Sequence, residues 1–231
     1  MSIPLARSRY KGEFVVKDTT NNRQYLADLI WSWSKGDGLT GWTLGGTTLP
    51  TIAADGQIDL YDATAGGGTS FLNVTIPNTN GNLWGVLRVK MTRQVDDTSL
   101  SNTAATSQIY STGGTGEVAA YISHTTNQIR KYWKAGTVGY DVVGPAGLVP
   151  QSGVEAEISV ILSPKGPVWL FNNVLLGTVP LGMSQPLRSA LQLWCDGNKK
   201  VQFYVEHTSG QVSHYRVHDI KVGRLVGVGD V

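Results

Sequence analysis

Cysteine is nearly absent from this chain of 231 residues: Cys195 stands alone, so no internal disulfide can staple the fold. Leu191, Leu193 and Cys195 alternate with Gln192 and Trp194, which makes the thiol a small strand hydrophobe rather than a nucleophile. Charge is sparse too. Charged residues make up 16 % of the chain, the net charge is +2, and Lys and Arg are scattered along it; a nucleic-acid interface would gather them into a stripe. No apolar run approaches the ~20 residues that span a bilayer. Arg7, Arg9 and Lys11 are not followed by the apolar stretch of a secretory signal, so the expectation is synthesis in a cytoplasm, with retention there or assembly into a particle that later leaves. No fixed period recurs, which argues against a propeller or solenoid.

What the chain does have is turn chemistry and alternation. Asp37-Gly38, Gly45-Gly46, Asp55-Gly56, Asn80-Gly81, Gly113-Gly114, Asp196-Gly197 and Ser209-Gly210 punctuate it at hairpin-like spacing. Between such turns lie about a dozen short strands. Leu87, Val89 and Met91 face away from Arg88 and Lys90, and Ala156, Ile158 and Val160 face away from Glu155, Glu157 and Ser159. Val201, Phe203 and Val205 oppose Gln202, Tyr204 and Glu206 in the same way. Antiparallel sheets with one face in a core and one in water give this pattern. The one helical signal is Leu26, Leu29, Ile30 and Trp33 at i, i+3, i+4 and i+7, capped by Asn21 or Asn22 and ended by Lys35-Gly36. The expected organisation is therefore an N-terminal arm with a short helix over residues 1–36 and an all-β, two-sheet antiparallel sandwich over residues 37–231. The helix either covers an open end of the sandwich or docks it to a partner, with Leu26, Leu29, Ile30, Trp31 and Trp33 as the docking candidates.

Two stretches carry a family resemblance. The run Gly41-Trp42-Thr43-Leu44-Gly45-Gly46, Pro50-Thr51-Ile52 and Asp55-Gly56-Gln57-Ile58-Asp59-Leu60 resembles the opening hairpin of concanavalin A-like lectin/glucanase jelly rolls, the fold shared with laminin G-like modules. In the last third, Ser163 to Phe171 with Val174-Leu175-Leu176-Gly177, and the closing Tyr215 to Val222, are similar to a later hairpin and the final strand of that fold. The resemblance implies a jelly roll. It also implies three possible uses, since the superfold serves lectins, glycosidases and structural modules. The glycosidase members carry a Glu-x-Asp-x-Glu strand that this chain lacks, and the paired metal site of many lectins has no matching Asp/Asn cluster here. In style, a Gly/Thr/Asn-rich β protein with a distinct arm and no signal peptide resembles a tailed-bacteriophage virion component.

Each chemistry-bearing residue also has a plainer role open to it. Glu155 and Glu157, two apart on a strand, would project from one face about 6–7 Å apart, a separation usable in glycoside hydrolysis, although outward carboxylates also keep a sheet soluble. His214 and His218 are four apart, a metal spacing on a helix but ~13 Å on a strand; neither a metal nor another cofactor is expected. Gly66-Gly67-Gly68-Thr69-Ser70 lacks the Lys-Ser/Thr end of a phosphate loop, and no Gly-x-Ser-x-Gly occurs. Trp84, Trp133, Trp194 and Tyr204 are candidate sugar-stacking residues, or rings buried in an interface. The expectation drawn from these is a non-enzymatic virion structural or attachment protein, in tail fibre, baseplate or capsid decoration. Its partners would be other virion proteins or copies of itself, with a surface glycan as a further ligand and no nucleic acid or membrane insertion. A free carbohydrate-binding module or lectin is the alternative, and a glycoside hydrolase using Glu155 and Glu157 the third reading.

Overall fold

The computed structural model describes residues 12–76, 85–99, 105–111, 118–124, 128–135, 138–146, 150–163, 166–178 and 199–230. Sixteen strands fill them: β1 Glu13–Asp18, β2 Arg23–Ser34, β3 Thr43–Gly46, β4 Thr51–Ile52, β5 Ile58–Asp62, β6 Gly67–Ile76, β7 Gly85–Arg93 and β8 Ala105–Ser111, then β9 Val118–His124, β10 Gln128–Ala135, β11 Val138–Ala146, β12 Glu155–Ser163, β13 Gly166–Phe171, β14 Val174–Thr178, β15 Lys199–Thr208 and β16 Ser213–Asp230. They form two sheets of antiparallel pairs. One sheet has nine strands, ordered β1-β2-β16-β7-β12-β13-β14, with β5 pairing the first part of β16 and β4 pairing β5; the other has seven, ordered β11-β10-β9-β8-β15-β6-β3. This is the two-layer, all-β sandwich expected from the alternation, with the jelly-roll architecture that the resemblance implied.

The core between the sheets is built from the inward parity of each strand. Leu87, Val89 and Met91 of β7, Ala156, Ile158 and Val160 of β12, and Leu72, Val201, Phe203 and Val205 of the opposing sheet all lie in one buried cluster. Two-residue turns fix the registers. Asn172 and Asn173 join β13 to β14 with φ of 48° and 66°, the left-handed pair that a tight hairpin turn requires and that asparagine tolerates.

The helix expected at Leu26–Trp33 is not formed: these residues are strand β2, paired with β1 on one side and β16 on the other. A bulge explains the misleading spacing. Trp31 pairs with Val222 and Leu29 with Gly223, which leaves Ile30 as the extra residue. An extra residue reverses the parity of a strand. Tyr25, Ala27 and Leu29 thus join a second buried cluster, whereas Trp31 and Trp33 join the main core. A period of two interrupted by a bulge imitated a period of 3.6.

That second cluster lies on the other face of the nine-stranded sheet, because Val86, Ile161, Val168 and Leu170 have the opposite parity to Leu87, Val160 and Trp169. The sheet curls to cover it. β16 carries register shifts at Val222/Gly223 and Leu225/Gly227, and bulges of this kind bend a strand. Gly223 lets the layers meet: a Cβ there would sit 2.6 Å from the Phe14 ring and 2.7 Å from the Asp28 carbonyl. The β1–β2 turn then reaches the far edge, where Thr19 N–H donates to the Asn173 carbonyl (2.8 Å) and Leu175 N–H to Thr20 Oγ1 (3.0 Å). Asp18 Oδ1 accepts from the amides of Thr20 and Asn21, both at 3.1 Å, and so shapes that turn.

Candidate functional site

The nine-stranded sheet covers part of its own outer face with its curled end; the seven-stranded sheet has an outer face too, opposite the main core. Strand alternation decides what occupies it. On β6 and β15 the residues opposite in parity to Leu72, Val74, Val201 and Phe203 are Phe71, Asn73, Gln202 and Tyr204, of which Asn73 is buried and the other three half-buried. Register extends this across the sheet. Asn73 pairs with Gln202, Gln202 with Gln108, Gln108 with Tyr121, Tyr121 with Tyr132 and Tyr132 with Asp141. Thr43 of β3 continues the row beyond Asn73. Every position is an amide, a phenol, a carboxylate or a hydroxyl, and five strand spacings separate Asn73 from Asp141, roughly 24 Å.

Beside this row lies an aromatic pair. Tyr204 and Phe71 are Cα partners, both half-buried, with Gly45 aligned next to Phe71. Any Cβ at Gly45 would collide with the Phe71 ring, so the glycine leaves room for that ring. Tyr204 is thus placed on the outer face, as the alternation implied. Trp133 has its backbone in β10, in the register column of Ala120, Ile109, Val201 and Val74. That column is one position removed from the polar row. Trp84 and Trp194 lie outside the described residues. The five residues named for docking are dispersed: Trp33 is 3 % exposed, Leu26, Leu29 and Trp31 are half-buried, and Ile30 sits on the bulge.

The open end of the nine-stranded sheet carries ionic networks instead. A second bulge organises them. Val217 pairs with Met91 and Asp219 with Lys90, so His218 is the extra residue and both His218 and Asp219 face outward. Asp219 meets Arg88 at 3.4 Å and Ser34 Oγ at 3.1 Å. His218 Nε2 lies 2.7 Å from Thr92 Oγ1, with Nδ1 3.4 Å from Glu155. The carboxylate calls for a proton on Nδ1, so Nε2 accepts from the threonine hydroxyl. Burial lowers the His218 pKa, reinforced by Lys35 and Lys90 and only partly opposed by Glu155 and Asp55. The Glu155/Glu157 pair does share a face, and each member is engaged: Glu155 with Lys90 at 3.2 Å as well as His218, Glu157 with Arg88 at 4.0 Å. The pair is on the opposite sheet from the polar row. No group of three or more His, Cys, Asp or Glu side chains among the described residues is arranged to hold a metal ion.

The signal for the row was present in each strand as alternation, yet the row itself joins residues from 73 to 202. Only the strand order reveals it.

No protein-family model and no curated protein sequence matches this chain. Solved structures do. The laminarinase from Rhodothermus marinus superposes with a TM-score of 0.57 at 10 % identity, over 88 % of this chain and 99 % of that one. The Bacillus licheniformis β-glucanase gives 0.54 at 11 % over 84 % and 97 %, and a Crh5 transglycosylase in its apo form gives 0.53 at 10 % over 91 % and 87 %. These similarities establish the fold. The neighbours include laminarinases, a β-glucanase, a transglycosylase and a glycoside hydrolase family 16 protein of a mixed-linkage glucan locus. They overturn the expectation of a non-enzymatic virion protein, and they weaken the free-lectin alternative as well. Richness in Gly, Thr and Asn follows from sheets and turns in general, so it carried no information about a virion. The folds on which this chain superposes are those of polysaccharide-processing enzymes.

Proposed function

We propose that this chain is a carbohydrate-active enzyme that cleaves or transfers a glycosidic bond, with the polysaccharide lying across the outer face of the seven-stranded sheet. The observation that carries the reading is the unbroken polar row from Asn73 to Asp141 beside the Tyr204–Phe71 pair. Sugars present hydroxyls that seek amides, phenols and carboxylates, and C–H faces that stack on rings. A row crossing six strands suits an extended chain of several rings, and the glucanases and transglycosylases among the structural neighbours support the same substrate class.

Glycoside cleavage needs a proton delivered to the leaving oxygen. The described strands of this sheet contain two acidic residues, Glu206 on β15 and Asp141 on β11. They lie four strand spacings apart, about 19 Å, and Glu206 is also four residues along β15 from Gln202, the position in register with Asp141, a further offset of about 13 Å; they are too far apart to flank one bond as a pair separated by roughly 5–9.5 Å would. Glu206 is two residues along β15 from Tyr204 and shares its parity, so the general-acid role is assigned to Glu206 and a sugar-binding role to Asp141; the partner carboxylate that would act as nucleophile or base lies outside the described strands of this sheet.

The test is incubation with laminarin, mixed-linkage β-glucan and mucin O-glycans, reading new reducing ends and chain-length redistribution by mass spectrometry. Turnover is expected on at least one, reduced about 100-fold or more in Glu206→Gln. Tyr204→Ala and Gln202→Ala should raise KM severalfold, and Glu155→Gln and Glu157→Gln should leave turnover near wild type. Binding without any cleavage or transfer would overturn the enzymatic reading. Full activity in Tyr204→Ala and Gln202→Ala would overturn the choice of face.

A further inference from the structure

Between β7 and β8 the chain passes from the nine-stranded to the seven-stranded sheet, and the first part of that passage is tied to β16 around one histidine. His214 Nδ1 lies 2.6 Å from Asp96 Oδ1, and Nε2 lies 2.8 Å from Asp59 Oδ1. Both partners are carboxylate oxygens, which only accept. A neutral imidazole has a single N–H, so one of the two contacts would set a nitrogen lone pair against a carboxylate; the imidazolium satisfies both. We propose that His214 is the pin of a pH-dependent clasp, which as the imidazolium holds the segment after β7 against β5 and β16 and loosens that segment when it gives up its proton.

The surroundings make the pin decisive for this segment. The His214 N–H donates to Asp97 Oδ2 at 2.7 Å, so one residue of β16 holds two successive aspartates. Asp97 also accepts from Arg93 Nε at 3.0 Å and the Ser99 amide at 3.2 Å. The remaining ties are neutral: Gln94 N–H to the His214 carbonyl, Thr98 N–H to the Val212 carbonyl, and Val212 N–H to Thr98 Oγ1. The other groups facing the ring are Tyr61 of β5, edge-on at 5.0 Å, and Arg216 of β16, which binds Asp59 at 3.0 Å and approaches Asp55 at 3.9 Å. Arg216 thus keeps a cation on Asp59 after His214 loses its proton. Asp96, 53 % exposed at its side chain, has the imidazolium as its cation in this cluster. Asp96 is therefore the contact that opens first. Burial works to lower the His214 pKa, and the bonds to Asp59 and Asp96 outweigh it, so that the net direction is upward.

Long-range ¹H–¹⁵N spectra of the full chain test this. His214 should show the doubly protonated pattern at neutral pH and titrate above the ordinary 6.5, with the midpoint moved down in Asp96→Asn. Hydrogen-exchange protection of the Thr98 and Ser99 amides should fall severalfold as pH rises through that midpoint. In His214→Gln, protection should be low and independent of pH. Asp96 is at the surface, so Asp96→Asn remains informative should His214→Gln fail to fold. A singly protonated tautomer at neutral pH, a midpoint unmoved by Asp96→Asn, or protection that ignores the titration would each overturn the clasp.

Discussion

Asp62 and His207 show how much one buried polar pair can matter. Both are almost wholly buried, with His207 Nε2 2.7 Å from Asp62 Oδ1 and His207 Nδ1 2.8 Å from the Thr208 carbonyl. Asp62 Oδ1 also accepts from the Thr64 amide at 2.8 Å. Gly68 is required beside it, because a Cβ there would lie 2.7 Å from that same oxygen. Burial raises the Asp62 pKa, and the bonds from His207 and Thr64 more than reverse this, so the group ends below the ordinary 3.8. A depressed carboxylate contributes stability that is present above 3.8 and lost as pH falls through its folded value. Removing one partner of such a pair strands the other, at a cost of about 3–5 kcal/mol. His207→Leu is therefore expected to lower the urea midpoint by that equivalent, and Asp62→Leu in the same chain to restore part of it. If His207→Leu unfolds at the wild-type midpoint, the pair contributes no stability. Neither residue stood out in the sequence, since they are 145 positions apart and meet only through the β6–β15 and β5–β16 pairings.

At the scale of elements, legibility followed the regularity of each strand. β7, β12 and β15 carry no bulge of their own, and their residues facing the main core could be assigned from the letters alone, whereas the burial of Val86 and Ile161 on the opposite face could not. β2 and β16 carry bulges at Ile30 and His218, and there the letters misled: one produced a false helical period, the other brought His218 and Asp219 out side by side. A bulge is fixed by the neighbouring strands, which a single segment does not reveal. β2 has a particular burden because its first half completes the second buried cluster and its second half the main core. Deleting residues 1–34 would strip β16 of one of its two partners from Asp219 onward, leaving β7 alone beside it, and uncover Val86, Ile161, Val168 and Leu170. The deletion is expected to yield aggregating or unfolded protein by size-exclusion chromatography and circular dichroism. Phe14→Ala should fold with a loss of about 3–5 kcal/mol. A monodisperse deletion variant with the wild-type melting temperature would mean that this hairpin adds nothing to the sandwich.

For the whole molecule, two histidines on one strand set a pH optimum between them. His218 is held below its ordinary 6.5 by burial. As pH falls past 6.5 the unfolded chain therefore takes up that proton before the folded one, and stability declines until the folded value is reached. His214 runs the other way. Burial opposes its protonation, the bonds to Asp59 and Asp96 prevail, and its folded value lies above 6.5. Its contribution is complete below 6.5 and is lost as pH rises through the folded value. The depressed Asp59 and Asp62 act only below 3.8, and the raised Tyr25 only above 10.0, so among the described residues with shifted values these two histidines govern the range between. Stability should peak near pH 6.5 and fall on both sides, read as the urea midpoint at half-unit steps from about pH 5 to pH 9. His214→Gln should flatten the alkaline limb and leave the acid limb, and His218→Gln should do the reverse. The two rings share no hydrogen-bond partner, one meeting Asp59 and Asp96 and the other Thr92 and Glu155. Their link runs through Arg216, which binds Asp59 and approaches the Asp55 that acts on His218, so the double variant should lose both limbs with a small coupling between them. An alkaline limb that persists in His214→Gln would place the titrating group elsewhere in the molecule.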